Sequence, residues 1–326
     1  CSATRTCLSG ILSYQTFISR PVRPGGFFFV PRGSHGVSIF LSYTPAAPVS
    51  TCGEVRTDAF GSTKGRVMAS LFDLTGKVAL VTGGNNGIGL GMADGLALHG
   101  ASGINWGTNE ERNGAAAERL PVHGGHVRAA QVNVADEEAV KAGVTDILSE
   151  FGRLDQAIAN AGISLPRPSV FETSIEDFRQ IEDINIHGVL FTLREAARHM
   201  VERAKSGDAG GSLVAISSTS AMHGAARNAH YGMTKGAVVS MVRALAVELA
   251  QHRISVNSIL PGWTRSGLTE KLQQWDKFNS NVIGRVPMGG WMGGEDFSAI
   301  AVYLASAASR FHTGDSIVID GGYTIY

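Results

Sequence analysis

The stretch Lys77-Val-Ala-Leu-Val-Thr-Gly-Gly-Asn-Asn-Gly-Ile-Gly89 decides how the chain is read. Lys77-Val81 is an apolar run of the length of a buried strand, and Ile88-His99 behind it has helical composition, so the glycines fall where a strand turns into a helix. Gly83 permits the tight turn. Gly87 lets backbone N–H groups approach a pyrophosphate at the positive end of the helix dipole, and Gly89 lets helix and strand pack closely. With Asn85, Asn86 and Ile88 completing it, the segment reads as a dinucleotide-binding turn. A glycine-rich turn alone is a weak sign; its place at the start of a βαβ unit gives it weight.

Outward from this turn the pattern is regular. Strands are expected near Lys77-Val81, Ala101-Trp106, His126-Asn133, Leu154-Asn160, Gly211-Ser217, Ile254-Leu260 and Ser316-Asp320. Helices are expected near Ile88-His99, Glu110-Leu120, Asp136-Phe151, Ser174-Arg203, Ala229-His252 and Glu295-Ser306. Alternation of this kind predicts an α/β fold, a single Rossmann-type, doubly wound, parallel seven-stranded sheet with helices on both faces. Ligands then bind along the edge where the strands end.

Residues 1–67 read differently. Arg5, Arg20, Arg23 and Arg32 precede any acid, Glu54 being the first, and no periodic apolar pattern is sustained. The segment is expected to be a non-globular, poorly structured extension, either an upstream artefact with translation starting at Met68 or a transit-like leader. The first reading implies a cytoplasmic protein and the second an organelle matrix, with residues 68–326 as the working domain. Lys and Arg number 28 against 28 Asp and Glu, so no basic footprint points to nucleic acid or to a membrane surface. All three cysteines, Cys1, Cys7 and Cys52, precede Met68, which leaves the domain no thiol for a disulfide or a zinc-thiolate site, and no metal is expected.

A second motif is Tyr231-Gly-Met-Thr-Lys235. Four-residue spacing stacks the phenol and the amine on one helical face, where the ammonium is expected to draw the tyrosine pKa below about 10. Such a pair is common by chance. It gains meaning from Ser217-Ser218 at the end of the fifth expected strand, thirteen residues before Tyr231, and from Asn160-Ala161-Gly162 at the end of the fourth.

Taken together, the glycine turn, Asn-Ala-Gly, Ser and Tyr-x-x-x-Lys in this order resemble the short-chain dehydrogenase/reductase superfamily over essentially all of Leu71-Tyr326. The branch with 3-oxoacyl-carrier-protein reductases and glucose or polyol dehydrogenases is the most similar. The resemblance implies an NAD(P)-dependent oxidoreductase moving a hydride between the nicotinamide and a carbonyl or secondary alcohol. It implies that Tyr231 passes the proton, that Ser218 orients and polarises the carbonyl, that Lys235 also holds the nicotinamide ribose, and that Asn185 supports a water-linked relay to the lysine. Pro261, Gly262, Thr264 and Ser266 match positions around the nicotinamide. Asn133, followed by Val134, stands where the family has an Asp near the adenine. The loop Arg285-Glu295 departs from the family by extra glycine at Gly290 and Gly294, which is expected to loosen it. A homotetramer or homodimer is implied.

Cofactor choice rests on Trp106-Gly-Thr-Asn109 at the end of the second expected strand. An NAD enzyme usually offers a carboxylate here; this chain has Gly107, and Thr108, Asn109 and Arg112 are able to receive a phosphate. NADP(H) is favoured over NAD(H), and Gly107→Asp is expected to reverse the preference. Between Gly262 and Gly294, Trp263, Leu268, Leu272, Trp275, Phe278 and Trp291 suggest an aromatic lid over a small-molecule substrate, with ordinary hairpin packing accounting for part of them. The helix Ala229-His252 is apolar over most of its circumference, which argues for a subunit face. The competing readings are a 3-oxoacyl-thioester reductase and a catalytically silent dinucleotide-binding sensor.

Overall fold

The computed structural model describes residues 71–120 and 125–326. The extension 1–67 therefore lies outside the described residues. β1 (Val78–Thr82), β2 (Ser102–Gly107), β3 (Val127–Gln131), β4 (Gln156–Ala159), β5 (Gly211–Ile216), β6 (Ile254–Pro261) and β7 (Ser316–Ile319) form one seven-stranded sheet in the order β3-β2-β1-β4-β5-β6-β7. Every pairing is parallel. The expected sheet is present, with β3 shorter than expected, so that Asn133 and Val134 lie in the connection beyond it.

Side chains alternate across a strand, and β1 shows what that does. Val78 and Leu80 enter one core with Val140, Val144 and Ile147 of α3 (Glu137–Phe151), Val189 and Leu193 of α5 (Gly188–Lys205) and Val238 and Val242 of α6 (Ala229–Leu249). Ala79 and Val81 enter the other, with Met92 and Leu96 of α1 (Gly87–Leu98) and Ala301, Val302 and Leu304 of α9 (Ser298–Ala305). Both faces of the sheet are covered. The strand order reverses at β1, whose neighbours are β2 and β4, and the crevice for ligands opens beyond the ends of β1 and β4.

Two elements differ from the sequence expectation. The helix expected over Ser174-Arg203 is α4 (Ile175–Glu182), a π turn (Asp183–His187) and α5. An extra residue in the turn carries no signal in apolar periodicity, yet it places Asn185 inward, fully buried. The stretch expected to return as a lid contains α7 (Glu270–Gln273) and α8 (Asp276–Ile283). α2 (Glu110–Arg119) completes the helices used below. Among the described residues no helix is long and apolar enough to cross a membrane.

At the opposite edge of the sheet Asp155, just before β4, accepts the Val78 N–H at 3.0 Å, Arg153 at 2.7 Å and Arg203 of α5 at 2.7 Å. Burial pushes its carboxyl up, but the two guanidiniums and the N–H outweigh this and hold it well below the ordinary range. β1, β4 and α5 are thereby tied at one point.

Candidate active site

The glycine turn is locked from below. Gly83 and Gly87 have φ of +62° and +51°, in the left-handed region open to glycine. Asn160, at the end of β4, donates through Nδ2 to the carbonyls of Thr82 at 2.9 Å and Gly83 at 3.1 Å, while Thr82 Oγ1 accepts the N–H groups of Asn160 and Ala161. A Cβ at Gly89 would fall in steric overlap with the Gly83 carbonyl oxygen. Asn86 gives α1 no side-chain cap, so the first-turn N–H donors stay open to an anion, as a pyrophosphate requires. The turn therefore fits a dinucleotide, with Asn160 shaping it by side-chain contacts to the turn's own carbonyls.

Beyond the turn runs a cleft lined by Gly83, Asn85, Thr108, Asn109, Arg112, Asn133, Val134, Ala161 and Gly162 among others. Asn109 caps α2, its Oδ1 accepting the Arg112 N–H at 2.8 Å, and Asn133 Oδ1 accepts the Ala135 N–H at 3.1 Å. Each amide thus keeps its N–H donors for a ligand. Sequence reasoning missed Asn113. From α2 its Nδ2 donates to the carbonyls of Gly107 and Ala130, and its Oδ1 accepts from Asn85 Nδ2 at 2.8 Å. These two amides fill the space beside Gly107: a Cβ there would overlap Asn85 Nδ2 and lie 2.5 Å from Asn113 Oδ1. Gly107→Asp therefore gains its ribose acceptor only if these two amide ends move aside.

At the end of β5 the two serines have different fates. Ser217 is buried, its Oγ spent on the Lys235 carbonyl at 2.8 Å. Ser218 opens a 3-10 turn (Thr219–Ala221) beside Tyr231. Lys235 Nζ donates to the Ile216 carbonyl at 2.8 Å and lies 5.6 Å from the Tyr231 ring centroid. Gly162 leaves space here, since a Cβ on it would stand 3.2 Å from Asn185 Oδ1 and 3.4 Å from Lys235 Nζ. Asn185 clamps the backbone of Ile163 at both N–H (2.9 Å) and carbonyl (3.0 Å), and donates to Thr234 Oγ1. Asn185, Ser218, Tyr231 and Lys235 therefore converge from the π turn, β5 and α6.

Electrostatics differ from the sequence expectation. Burial pushes the Tyr231 phenol above its ordinary value, more than the Ser218 hydroxyl draws it down. Burial also lowers the Lys235 ammonium to about 8. Both groups have left water, and the lost hydration is the largest cause of each shift. The lysine therefore does not bring the phenol below its reference value in this state.

The loop after β4 is sewn to the segment ahead of Tyr231. Ser164 bonds Asn228 at 3.0 Å, the Leu165 carbonyl meets His230 Nε2 at 2.9 Å, and the Arg167 N–H donates to the Arg227 carbonyl at 3.1 Å. On the other side Pro261 ends β6 and Gly262 passes close to Asp320. Thr264 is buried, and Ser266 packs against Gly87, where a Cβ would lie 2.9 Å from its Cβ. Thr269 fixes this loop, donating to the Thr264 carbonyl at 2.7 Å and accepting the Ser266 N–H at 3.1 Å.

The aromatic stretch divides. Trp263, Phe278 and Trp291 pack with Val282, Val286 and Tyr323 into a small core, Trp263 meeting Phe278 edge-on at 5.1 Å. Leu268 and Trp275 stay exposed. Gly289 and Gly290 occupy the left-handed region, and Gly294 lies against the Gly87 carbonyl so closely that a Cβ would overlap it. Gly294 thus serves close approach to α1, while a Cβ on Gly289 or Gly290 would meet nothing within 4 Å and these two serve the left-handed backbone instead.

Comparison with known proteins agrees with this geometry. Residues 83–324 match the family described as Enoyl-(Acyl carrier protein) reductase. The gluconate 5-dehydrogenase of Gluconobacter oxydans is 34% identical over 255 residues, 78% of this chain and 97% of the relative. The 3-oxoacyl-acyl-carrier-protein reductase of Chlamydia pneumoniae is 33% identical, over 77% of this chain and 98% of its own length. Among solved structures, a gluconate 5-dehydrogenase from Burkholderia cenocepacia in complex with NADP and tartrate is 30% identical and superposes with a TM-score of 0.74, covering 79% of this chain and 99% of that one. The chain belongs to the short-chain dehydrogenase/reductase superfamily and is an NAD(P)-dependent oxidoreductase acting between CH–OH and carbonyl groups.

Proposed function

We propose that the protein interconverts a secondary alcohol and its ketone on a polyol or sugar acid, with NADP(H) as the preferred cofactor. The observation that carries the catalytic reading is the convergence of Ser218, Tyr231, Lys235 and Asn185 beside Gly162. Tyr231 hands its phenolic proton to the carbonyl oxygen in reduction and takes it back in oxidation. Ser218 donates a hydrogen bond to that same oxygen. Lys235 holds the nicotinamide ribose, and Asn185 fixes the Ile163 backbone and the turn from which a water chain reaches the lysine. When bound, the nicotinamide supplies or accepts the hydride.

For the cofactor, the open first turn of α1 and the residues Asn85, Asn86, Gly87, Ile88 and Gly89 take the pyrophosphate. Thr108, Asn109 and Arg112 face the ribose, where no carboxylate repels a 2'-phosphate. Thr264 and Ser266, braced by Thr269, stand at the nicotinamide end. Similarity to gluconate dehydrogenases supports a sugar acid as substrate class. Residues 68–326 are the working unit, as the relatives are matched over nearly their whole length. The open face of α6, with Met233 and Val247 62% and 83% exposed, supports a homodimer or homotetramer.

The test is a panel of keto sugar acids, neutral ketoses and acetoacetyl thioesters, each with NADPH and NADH. The expected kcat/KM favours a keto sugar acid over a thioester, and NADPH over NADH, by about tenfold or more in each case. Preference for the thioester would assign the protein to the 3-oxoacyl reductases, and preference for NADH would overturn the reading of the β2 end.

A further inference from the structure

We propose that Ser220 is a positioning residue for the reaction: it fills the acceptor sites of Ser218 and so obliges that hydroxyl to donate to the substrate oxygen. The inference rests on the reading of Ser218 and Tyr231 given above. A serine hydroxyl has one proton and two acceptor positions. The Ser220 N–H donates to Ser218 Oγ at 3.2 Å, and the Ser220 hydroxyl donates to the same oxygen at 2.7 Å. Both acceptor positions are thereby taken. The neighbouring Ser217 does not compete, its hydroxyl being spent on the Lys235 carbonyl.

The turn that delivers Ser220 is held on both sides. Ala221 N–H donates to the Ser218 carbonyl at 3.0 Å and Met222 N–H to the Thr219 carbonyl at 2.9 Å. Gly232, the residue after Tyr231, lets the turn approach α6, since a Cβ there would stand 3.3 Å from the Ser220 carbonyl. The pair Ser218–Ser220 is thus set against the start of the helix that carries the phenol.

The consequence concerns where two protons go. In reduction the Tyr231 proton must reach the carbonyl oxygen. A Ser218 with an open lone pair would accept a hydrogen bond from the phenol and draw it off the substrate. With its lone pairs filled, Ser218 offers only its proton, and donation from Ser220 polarises that O–H further. In oxidation the alcohol proton passes to the phenolate while the Ser218 O–H stays on the substrate oxygen; before the alcohol binds, that O–H meets the phenol and draws its pKa down.

Ser220→Ala and Ser220→Thr are to be compared with wild type and with Tyr231→Phe. The measurements are steady-state rates in both directions, the pH profile of oxidation, and NADPH affinity from fluorescence. Ser220→Ala is expected to lower kcat about 3- to 10-fold, the weight of one hydrogen bond to a reacting group, with NADPH affinity within about twofold of wild type. Its oxidation profile is expected to shift to higher pH, and Ser220→Thr, which keeps the hydroxyl, to restore both rate and profile. A Ser220→Ala enzyme with wild-type rate and profile overturns the inference, as does a Ser220→Thr enzyme as impaired as the alanine variant. In either case an inactive Tyr231→Phe leaves the site reading intact, whereas a Tyr231→Phe enzyme that still turns over overturns that reading itself.

Discussion

Tyr231→Phe is expected to lower kcat by about 10²-fold or more while leaving cofactor affinity nearly unchanged. The ring keeps its packing beside Lys235, and only the transferable proton is lost. The pH dependence of the wild type carries the same assignment. Because burial raises the phenol, it stays protonated through neutrality, so reduction is expected to be flat there and to fall on the alkaline side. Oxidation, which needs the phenolate, rises with pH. As pH increases, the Lys235 ammonium, lowered to about 8, loses its charge before the phenol does. Retention of more than about a tenth of the wild-type kcat by the phenylalanine variant would remove Tyr231 from the acid-base role.

The largest effect on stability is expected at the opposite edge of the sheet. Asp155→Asn keeps the shape of the side chain but leaves Arg203, whose side chain is 12% exposed, with only the more distant and exposed Asp208 at 3.5 Å as counter-charge. Breaking one partner of a buried pair costs about 3–5 kcal/mol, which corresponds to a fall of roughly 10 °C in Tm for a domain of this size. Lys77 adds little, being half-exposed at 3.4 Å. The Asp155 carboxyl is lowered in the folded state, so its stabilisation is fully present above its unfolded pKa near 3.9 and is lost as pH falls toward the folded value. The difference in Tm between wild type and variant should therefore be widest near neutrality and narrow in acid. A constant difference, or none, would show that the guanidiniums are not held by this charge.

Much of this was legible in the sequence because the relevant patterns are local. Apolar runs alternating with helices give the sheet, and the strand-to-helix glycines and the four-residue Tyr-Lys spacing give the two ends of the site. What escaped was set by distance along the chain or by burial. Asn113 sits among charged helix residues and reads as solvated, yet it is 5% exposed and holds three groups. The ties of Ser164 to Asn228 and of Leu165 to His230 join residues 64 and 65 positions apart, for which no local pattern exists. The π turn leaves the apolar periodicity of its helix almost unbroken. The sign of the Tyr231 shift depends on desolvation, which spacing does not report.

The paired amides beside Gly107 have a consequence for how cofactor preference can evolve. An aspartate at 107 collides with Asn85 and Asn113, so Gly107→Asp alone is expected to lower kcat/KM for NADPH and for NADH alike. Asn85→Gly removes the nearer amide and frees Asn113 Oδ1 from its partner, so that it can turn away, and the double variant is expected to favour NADH. A single variant that already gained NADH activity would show that the amides yield freely. If they do not, the two ends of the path are joined through an intermediate worse than either. Selection then meets a fitness valley two substitutions wide, and a lineage descending from this chain keeps its cofactor by epistasis even where the cell would reward a change.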